Sequence, residues 1–236
     1  MRVTLINPNT SRAMTDKIGR SAREVAGPGV EIAAVCPEFG PAAIESHTDE
    51  VAAAAAVLRE VEAGQTAGVD GFVIACFGDP GLDAARELAT GPVVGIAESA
   101  MHVATMAGRT FSIVTTLSRT LGRAHDLVRR YGFTEACVSS YATGIPVLDF
   151  EESTTEAFET IAAVCERAVR ADAADSIVLG CAGMTDLCAA LSERVGVPVI
   201  DGVAASVGLV TGMVRMGVGT SKRDEYALPF ARATVL

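Results

Sequence analysis

Two cysteines sit in matched surroundings. Cys76 closes the apolar run GFVIA and Cys181 closes SIVLG, and each is followed two residues later by a glycine, Gly78 or Gly183. Placing Asp70 over Asp175 aligns DGFVIACFGDPGLDAARELATGPVVGI with DSIVLGCAGMTDLCAALSERVGVPVID, so Cys76 falls on Cys181 and Leu82 on Leu187. Removing a proton from a carbon beside a carbonyl needs a base, and inverting that carbon needs an acid on its other face. A thiol has a pKa near roughly 8.5, lowered at a helix N-terminus, so a thiolate and a thiol can share that work near neutral pH. A lone cysteine reads as a small buried hydrophobe. Two at equivalent places of an internal repeat read as a pair with a task.

Their positioning depends on strands ending at a common edge. Val3–Ile6 is an apolar run closed by Asn7-Pro8-Asn9, and Phe111–Val114 is closed by Thr115 and Thr116, so that FSIVTTLS lies over VTLINPNT without gaps. Further strands are expected at 30–36, 71–75, 93–96, 136–140, 176–180 and 197–200. Helices are expected from about Met14, then over 49–63 (stopped by Gly64), 82–89, 121–131, 154–171, 184–195 and 204–216. Strands alternating with helices, the strands continuously apolar, predict an α/β fold of parallel sheets covered by helices on both faces. Ligands in such sheets bind beyond the carboxyl ends of the strands. Asn7, Cys76, Thr115 and Cys181 all fall at that edge, and if two lobes face each other they line one cleft. Residues 1–98 with 208–236 are expected to form the lobe carrying Cys76, and 99–207 the lobe carrying Cys181.

Each cysteine also precedes a turn leading to a helix, at about Asp79-Pro80 and at a cap near Thr185. Backbone N–H groups there are expected to lower the thiol pKa and to receive a developing enolate oxygen, with Gly78 and Gly183 allowing close approach. Cys36, Cys137, Cys165 and Cys188 are expected in the core. His47, His102 and His125 lack paired metal spacing, so no metal site is expected; His47 lies in a loop, Phe39 to His47, that could fold over a cleft. Asn7 reads equally as a turn residue and as a ligand contact. No Gly-x-Gly follows the first strand, which weakens a dinucleotide reading.

The totals narrow the class. In 236 residues, half of them apolar and with no Trp, there is room for one large domain or two lobes. A formal charge of -10 and only two lysines, Lys17 and Lys222, leave no basic patch for nucleic acid. Val51–Leu58, the longest apolar run, is far short of the roughly 20 residues a membrane helix needs. No signal-peptide core follows Arg2, so a cytoplasmic protein is expected, its six cysteines free of a disulfide framework.

INPNTS at the N-terminus, ACFGDPGLDAARELA around Cys76, SIVTTLSR, and SIVLGCAGM followed by GVPVIDGV together resemble the hydantoin racemases of the aspartate/glutamate racemase superfamily, over nearly the whole chain. The resemblance implies two Rossmann-like lobes related by a pseudo-twofold axis, an inter-lobe active site, no cofactor, and a two-base mechanism with Cys76 and Cys181 as the catalytic pair. It implies substrate contacts from Asn7, from Thr115 and Thr116, and from backbone groups at Phe77, Gly78, Ala182 and Gly183. The implied reaction is racemisation of 5-monosubstituted hydantoins, with allantoin or amino-acid racemases as neighbouring alternatives and a non-catalytic binding module as a different class. Glutamate racemases resemble Cys-Asn-Thr and Cys-Thr-His at the two cysteines; Phe77-Gly78 and Ala182-Gly183 suit a neutral ring better. Arylmalonate decarboxylases, also similar, keep one cysteine. A small-molecule substrate is the expected partner, and a homo-oligomer the expected assembly.

Overall fold

Strand burial organises the chain. Every residue of Gly71–Ile74, Phe111–Thr115 and Ser176–Leu179 is buried, as strands covered on both faces must be. The computed structural model describes residues 1–152 and 154–229, in which two parallel sheets follow one another. The first half runs β1 (Arg2–Ile6), α1 (Arg12–Val25), β2 (Glu31–Val35), α2 (His47–Thr66), β3 (Gly71–Ile74), α3 (Leu82–Leu88), β4 (Val93–Gly95). After α4 (Ile96–Ala107), the second half runs β5 (Phe111–Thr115), α5 (Leu121–Arg130), β6 (Cys137–Ala142), α6 (Thr155–Asp172), β7 (Ser176–Leu179), α7 (Cys188–Val195), β8 (Val199–Ile200). Helix α8 (Gly202–Met216) follows. The sheet orders, β2-β1-β3-β4 and β6-β5-β7-β8, are the same permutation, which makes the fold two pseudo-symmetric α/β lobes.

Register brings the chemistry to one edge. Ile6 pairs with Ile74 and Val114 with Leu179. The residue after each central pair is tied across, Ala75 N–H to the Ile6 carbonyl and Gly180 N–H to the Val114 carbonyl, both at 2.8 Å. Asn7 therefore emerges beside Cys76, and Thr115 beside Cys181.

Several boundaries differ from the sequence reading, each for a local reason. Helix α2 passes through Gly64 to Thr66. A Cβ at Gly64 would meet the Phe72 ring at 2.5 Å, so this glycine makes room for an aromatic side chain and does not end the helix. The helix expected from Met184 begins as a 3-10 helix, Ala182–Leu187, with Cys181 itself as its N-cap in place of Thr185, and α7 begins at Cys188. Helix α4, which the repeat left between β4 and β5 unassigned, packs on α8 and α5. Both α4 and α8 run without a break through the expected lobe boundaries at 98/99 and 207/208. Residues 230–236, expected in the first lobe, lie outside the described residues.

One apolar core draws on both halves, joining Leu5, Met14, Ile18 and Val73 to Ile113, Leu127 and Val178 through Met101, Val203 and Val207. A second, around Ile161 and Leu191, belongs to the second half, and a third, around Val57 and Phe72, to the first. Among the described residues no helix is long and apolar enough to cross a membrane.

Candidate active site

The strand edges meet in one cavity of about 60 Å³, room for roughly four waters. Asn7, Cys76, Phe77, Gly78, Thr115, Thr116, Cys181 and Ala182 line it. Of the expected site residues only Gly183 stands behind the wall. A Cβ there would meet Phe150 Cβ at 2.9 Å and Met14 Cε at 3.2 Å.

The two cysteine turns are built alike. The carbonyl of Cys76 accepts from Asp79 N–H at 3.0 Å, and that of Cys181 from Met184 N–H at 3.1 Å. Each thiol accepts the N–H of the glycine two residues on: Gly78 for Cys76, and Gly183 for Cys181 at 3.4 Å. These two donors meet the sulfurs. The expected lowering of the thiol pKa is overturned. Burial pushes Cys76 up to about 12 and Cys181 up to about 11, because removing a thiolate from water outweighs one backbone donor. The neighbouring charges differ: Cys181, Asp79 and Glu50 all raise Cys76 further, whereas at Cys181 Lys17 lowers the pKa and Glu45 raises it.

Asn7 serves its own turn as well as the cavity. Its Nδ2 donates to Asn9 Oδ1 at 2.7 Å and Thr15 Oγ1 at 2.9 Å. Thr115 Oγ1 donates to the Gly180 carbonyl at 3.1 Å, tying β5 to the Cys181 turn. The segment 36–46 lies against the mouth: Ile44 lines the cavity, Thr10 N–H donates to the Pro41 carbonyl at 3.0 Å, and Glu45 Oε1 accepts from Val147 N–H at 2.7 Å across the halves. Phe39 faces solvent. His47 opens α2 with its ring 87% exposed beside Glu50, and it does not line the cavity.

Sequence reasoning missed Asn9, Met14, Ile44, Glu50, Thr120, Arg123, Ala124 and Val147, which also line the cavity. Glu50 and Arg123 are the charged pair among them, with Arg123 Nε 3.2 Å from Glu50 Oε1. Both occupy the first turn of a helix that starts at the cleft edge, and a charged residue there was the available signal. All six cysteines are free, Cys165 and Cys188 being buried and Cys36 and Cys137 partly so. Among the described residues no group of three or more His, Cys, Asp or Glu side chains is placed to hold a metal ion.

The family model for Asp/Glu/hydantoin racemases matches residues 3–210. The hydantoin racemase of Pseudomonas sp. (strain NS671) is 44% identical over 229 residues, covering 97% of this chain and 92% of its own. The structure of allantoin racemase from Klebsiella pneumoniae superposes with a TM-score of 0.97 at 51% identity, covering 100% of this chain and 96% of that one. Allantoin racemase from Pseudomonas fluorescens gives 0.95 at 38%, with both chains fully covered.

Proposed function

The chain belongs to the Asp/Glu/hydantoin racemase family and is a racemase, and we propose that it inverts C5 of 5-monosubstituted hydantoins with Cys76 and Cys181 as the two bases and without a cofactor. The observation that carries this reading is that both thiols, one from each pseudo-symmetric half, line a single cavity. One cysteine thiolate takes the C5 proton; the C–H bond breaks, an S–H bond forms, and the electron pair moves onto the C4 carbonyl oxygen. The other thiol gives its proton to C5 from the opposite face, so the two sulfurs exchange protonation states and the next turnover starts from the other enantiomer.

Asn7, Thr115 and Thr116 serve as ring contacts in this reading, together with backbone groups at Phe77, Gly78 and Ala182; Gly183 acts through the Cys181 sulfur. The lobes follow the sheets, with 1–98 and, of the described residues, 208–229 on the Cys76 side and 99–207 on the Cys181 side, α4 and α8 crossing between them. The test is C5 deuterium exchange and loss of optical rotation in D2O for Cys76→Ser and Cys181→Ser. Racemisation at the wild-type rate in either variant rejects the two-base assignment.

A second reading narrows the substrate. The 51% identity to the Klebsiella enzyme favours allantoin, which is itself a hydantoin with a ureido group at C5 and needs the same proton transfer. Comparing allantoin with 5-benzyl- and 5-isopropylhydantoin by polarimetry separates the two, and an open-chain amino acid in the same assay tests the amino-acid alternative.

A further inference from the structure

The two basic side chains nearest the cysteine turns make the same contact in opposite directions. Arg123, on α5 of the second half, donates from Nη2 to the Gly78 carbonyl at 2.6 Å. Lys17, on α1 of the first half, donates from Nζ to the Gly183 carbonyl at 3.2 Å. Each acceptor belongs to the glycine whose N–H meets the cysteine sulfur of that turn. A cation on the first helix after each central strand thus reaches across the cleft and holds the opposite half's thiol turn by its glycine. We infer that Lys17 and Arg123 are matched positioning residues, Lys17 for Cys181 and Arg123 for Cys76, each orienting through a glycine the N–H that its thiol accepts.

This inference rests on the reading in which those two thiols react. Lys17 is 5% exposed, in the apolar stripe of α1 with Met14 and Ile18, and its ammonium also meets the Phe150 carbonyl at 2.7 Å and Asp186 Oδ1 at 3.2 Å. A buried ammonium must be offset by its partners, so an apolar residue would serve packing at least as well. What an apolar residue cannot do is hold a carbonyl and present a charge.

The two clamps differ in how that charge is balanced. Glu50 lies beside Arg123, its side chain 20% exposed and itself on the cavity wall, and so places a carboxylate near Cys76 together with Asp79. The carboxylate beside Lys17, Asp186, is 40% exposed and screened by water, and Glu45 is the acidic group that faces Cys181. Cys181 is therefore the thiol that ionises first, and the resting protein holds its thiolate, when it has one, in the second half.

Thiol reactivity tests this on the full chain without any substrate. Each cysteine's alkylation by iodoacetamide is followed by peptide mass across pH 7 to 10, with folding checked by circular dichroism. In the wild type Cys181 is expected to react faster than Cys76. Lys17→Met should slow Cys181 about tenfold and move its pH profile up by about one unit while leaving Cys76 alone, and Lys17→Arg should restore it. Arg123→Met, which leaves Glu50 unbalanced, should do the same to Cys76 alone, with Arg123→Lys restoring it. Both thiols shifting together, or neither shifting in a folded variant, overturns the assignment. Should Lys17→Met fail to fold, Arg123→Met decides, since the Arg123 side chain is 28% exposed. If the pattern holds but no hydantoin is racemised, the clamps stand and the substrate reading falls.

Discussion

The halves solve one problem differently: how to cap the helix that follows the last strand of each sheet. In the second half Asp201, at the end of β8, caps α8 directly, accepting from Val203 N–H at 2.8 Å and from Thr185 Oγ1 at 2.6 Å. In the first half the corresponding position is Gly95, which has no side chain to cap with. The carboxylate comes instead from the cysteine turn. Asp79 accepts from Ala97 N–H at 3.1 Å, from Glu98 N–H at 2.9 Å and from the Tyr131 hydroxyl at 2.7 Å, and its own φ of 45° lies in the left-handed region. A side chain at position 95 would collide with the Asp79 carboxylate, so the glycine and the displaced aspartate form one device. The lesson is that both turns take a cation from the other half, but only the Cys76 turn also uses a carboxylate of its own to cap the helix beyond the last strand, whereas the Cys181 turn meets its cap through the Thr185 hydroxyl.

The largest effect expected from breaking this pairing is on activity. Cys76→Ser and Cys181→Ser should each lower kcat by about 10³-fold or more, and the double variant should be scarcely worse than either single one, because the thiols act as a unit. Additive losses would mean that they work independently. Next comes stability. Asp79→Ala should cost about 2 to 3 kcal/mol, since it uncaps α4, strands the Tyr131 hydroxyl and leaves an alanine at positive φ. Asp201→Ala should cost about 1 kcal/mol, an ordinary N-cap loss. Urea unfolding of both variants measures the difference, and equal costs would erase the asymmetry.

The pH dependences follow from burial. Asp79 is pushed up to about 6 from 3.8, so the folded protein binds an extra proton between those values. Its contribution to stability is greatest at low pH and is lost as pH rises through about 6. Asp79→Asn should flatten the change in Tm over that range. The thiols give a second slope. With Cys181 near 11, kcat/KM should rise about tenfold per pH unit from pH 7 to 9; a plateau below pH 8 would show that the thiol of the free enzyme ionises well below 11, and a plateau in kcat alone would show that bound substrate resets it. The smallest effect separates the two glycines. A Cβ at Gly183 meets the fixed Phe150 and Met14, and Gly183→Ala should cost about 1 kcal/mol. A Cβ at Gly78 meets only the movable end of Glu50 at 2.9 Å, and Gly78→Ala should cost less, as paired thermal melts would register.

Much of this was legible in the chain because the repeat is a pattern of types. Apolar runs ending in Cys-x-Gly declare both the strand and the turn, and the parallel register then brings the four strand ends together. Gly64 misled because a glycine near the end of a helical pattern reads as a stop, when its purpose was to seat Phe72. The thiol pKa values were misjudged because helix N-termini show in a sequence and desolvation does not. Lys17 and Arg123 showed only as charged residues on helices, because the glycine carbonyls they hold in the other half carry no residue type. Asp79 was visible only as a turn residue, since the helix it caps begins at Ile96, beyond β4.

The apolar core that joins Leu5 and Val73 to Ile113 and Val178 through α4 and α8 has a thermodynamic consequence. Two halves that each own a sheet would ordinarily be candidates for separate melting. Here neither sheet can lose its helical cover without baring apolar surface on the other, and the cations that hold the thiol turns lose their acceptors in the same event. The free energy of unfolding therefore belongs to the whole chain, and heat should remove structure and thiol geometry in one cooperative step, with van't Hoff and calorimetric enthalpies in agreement.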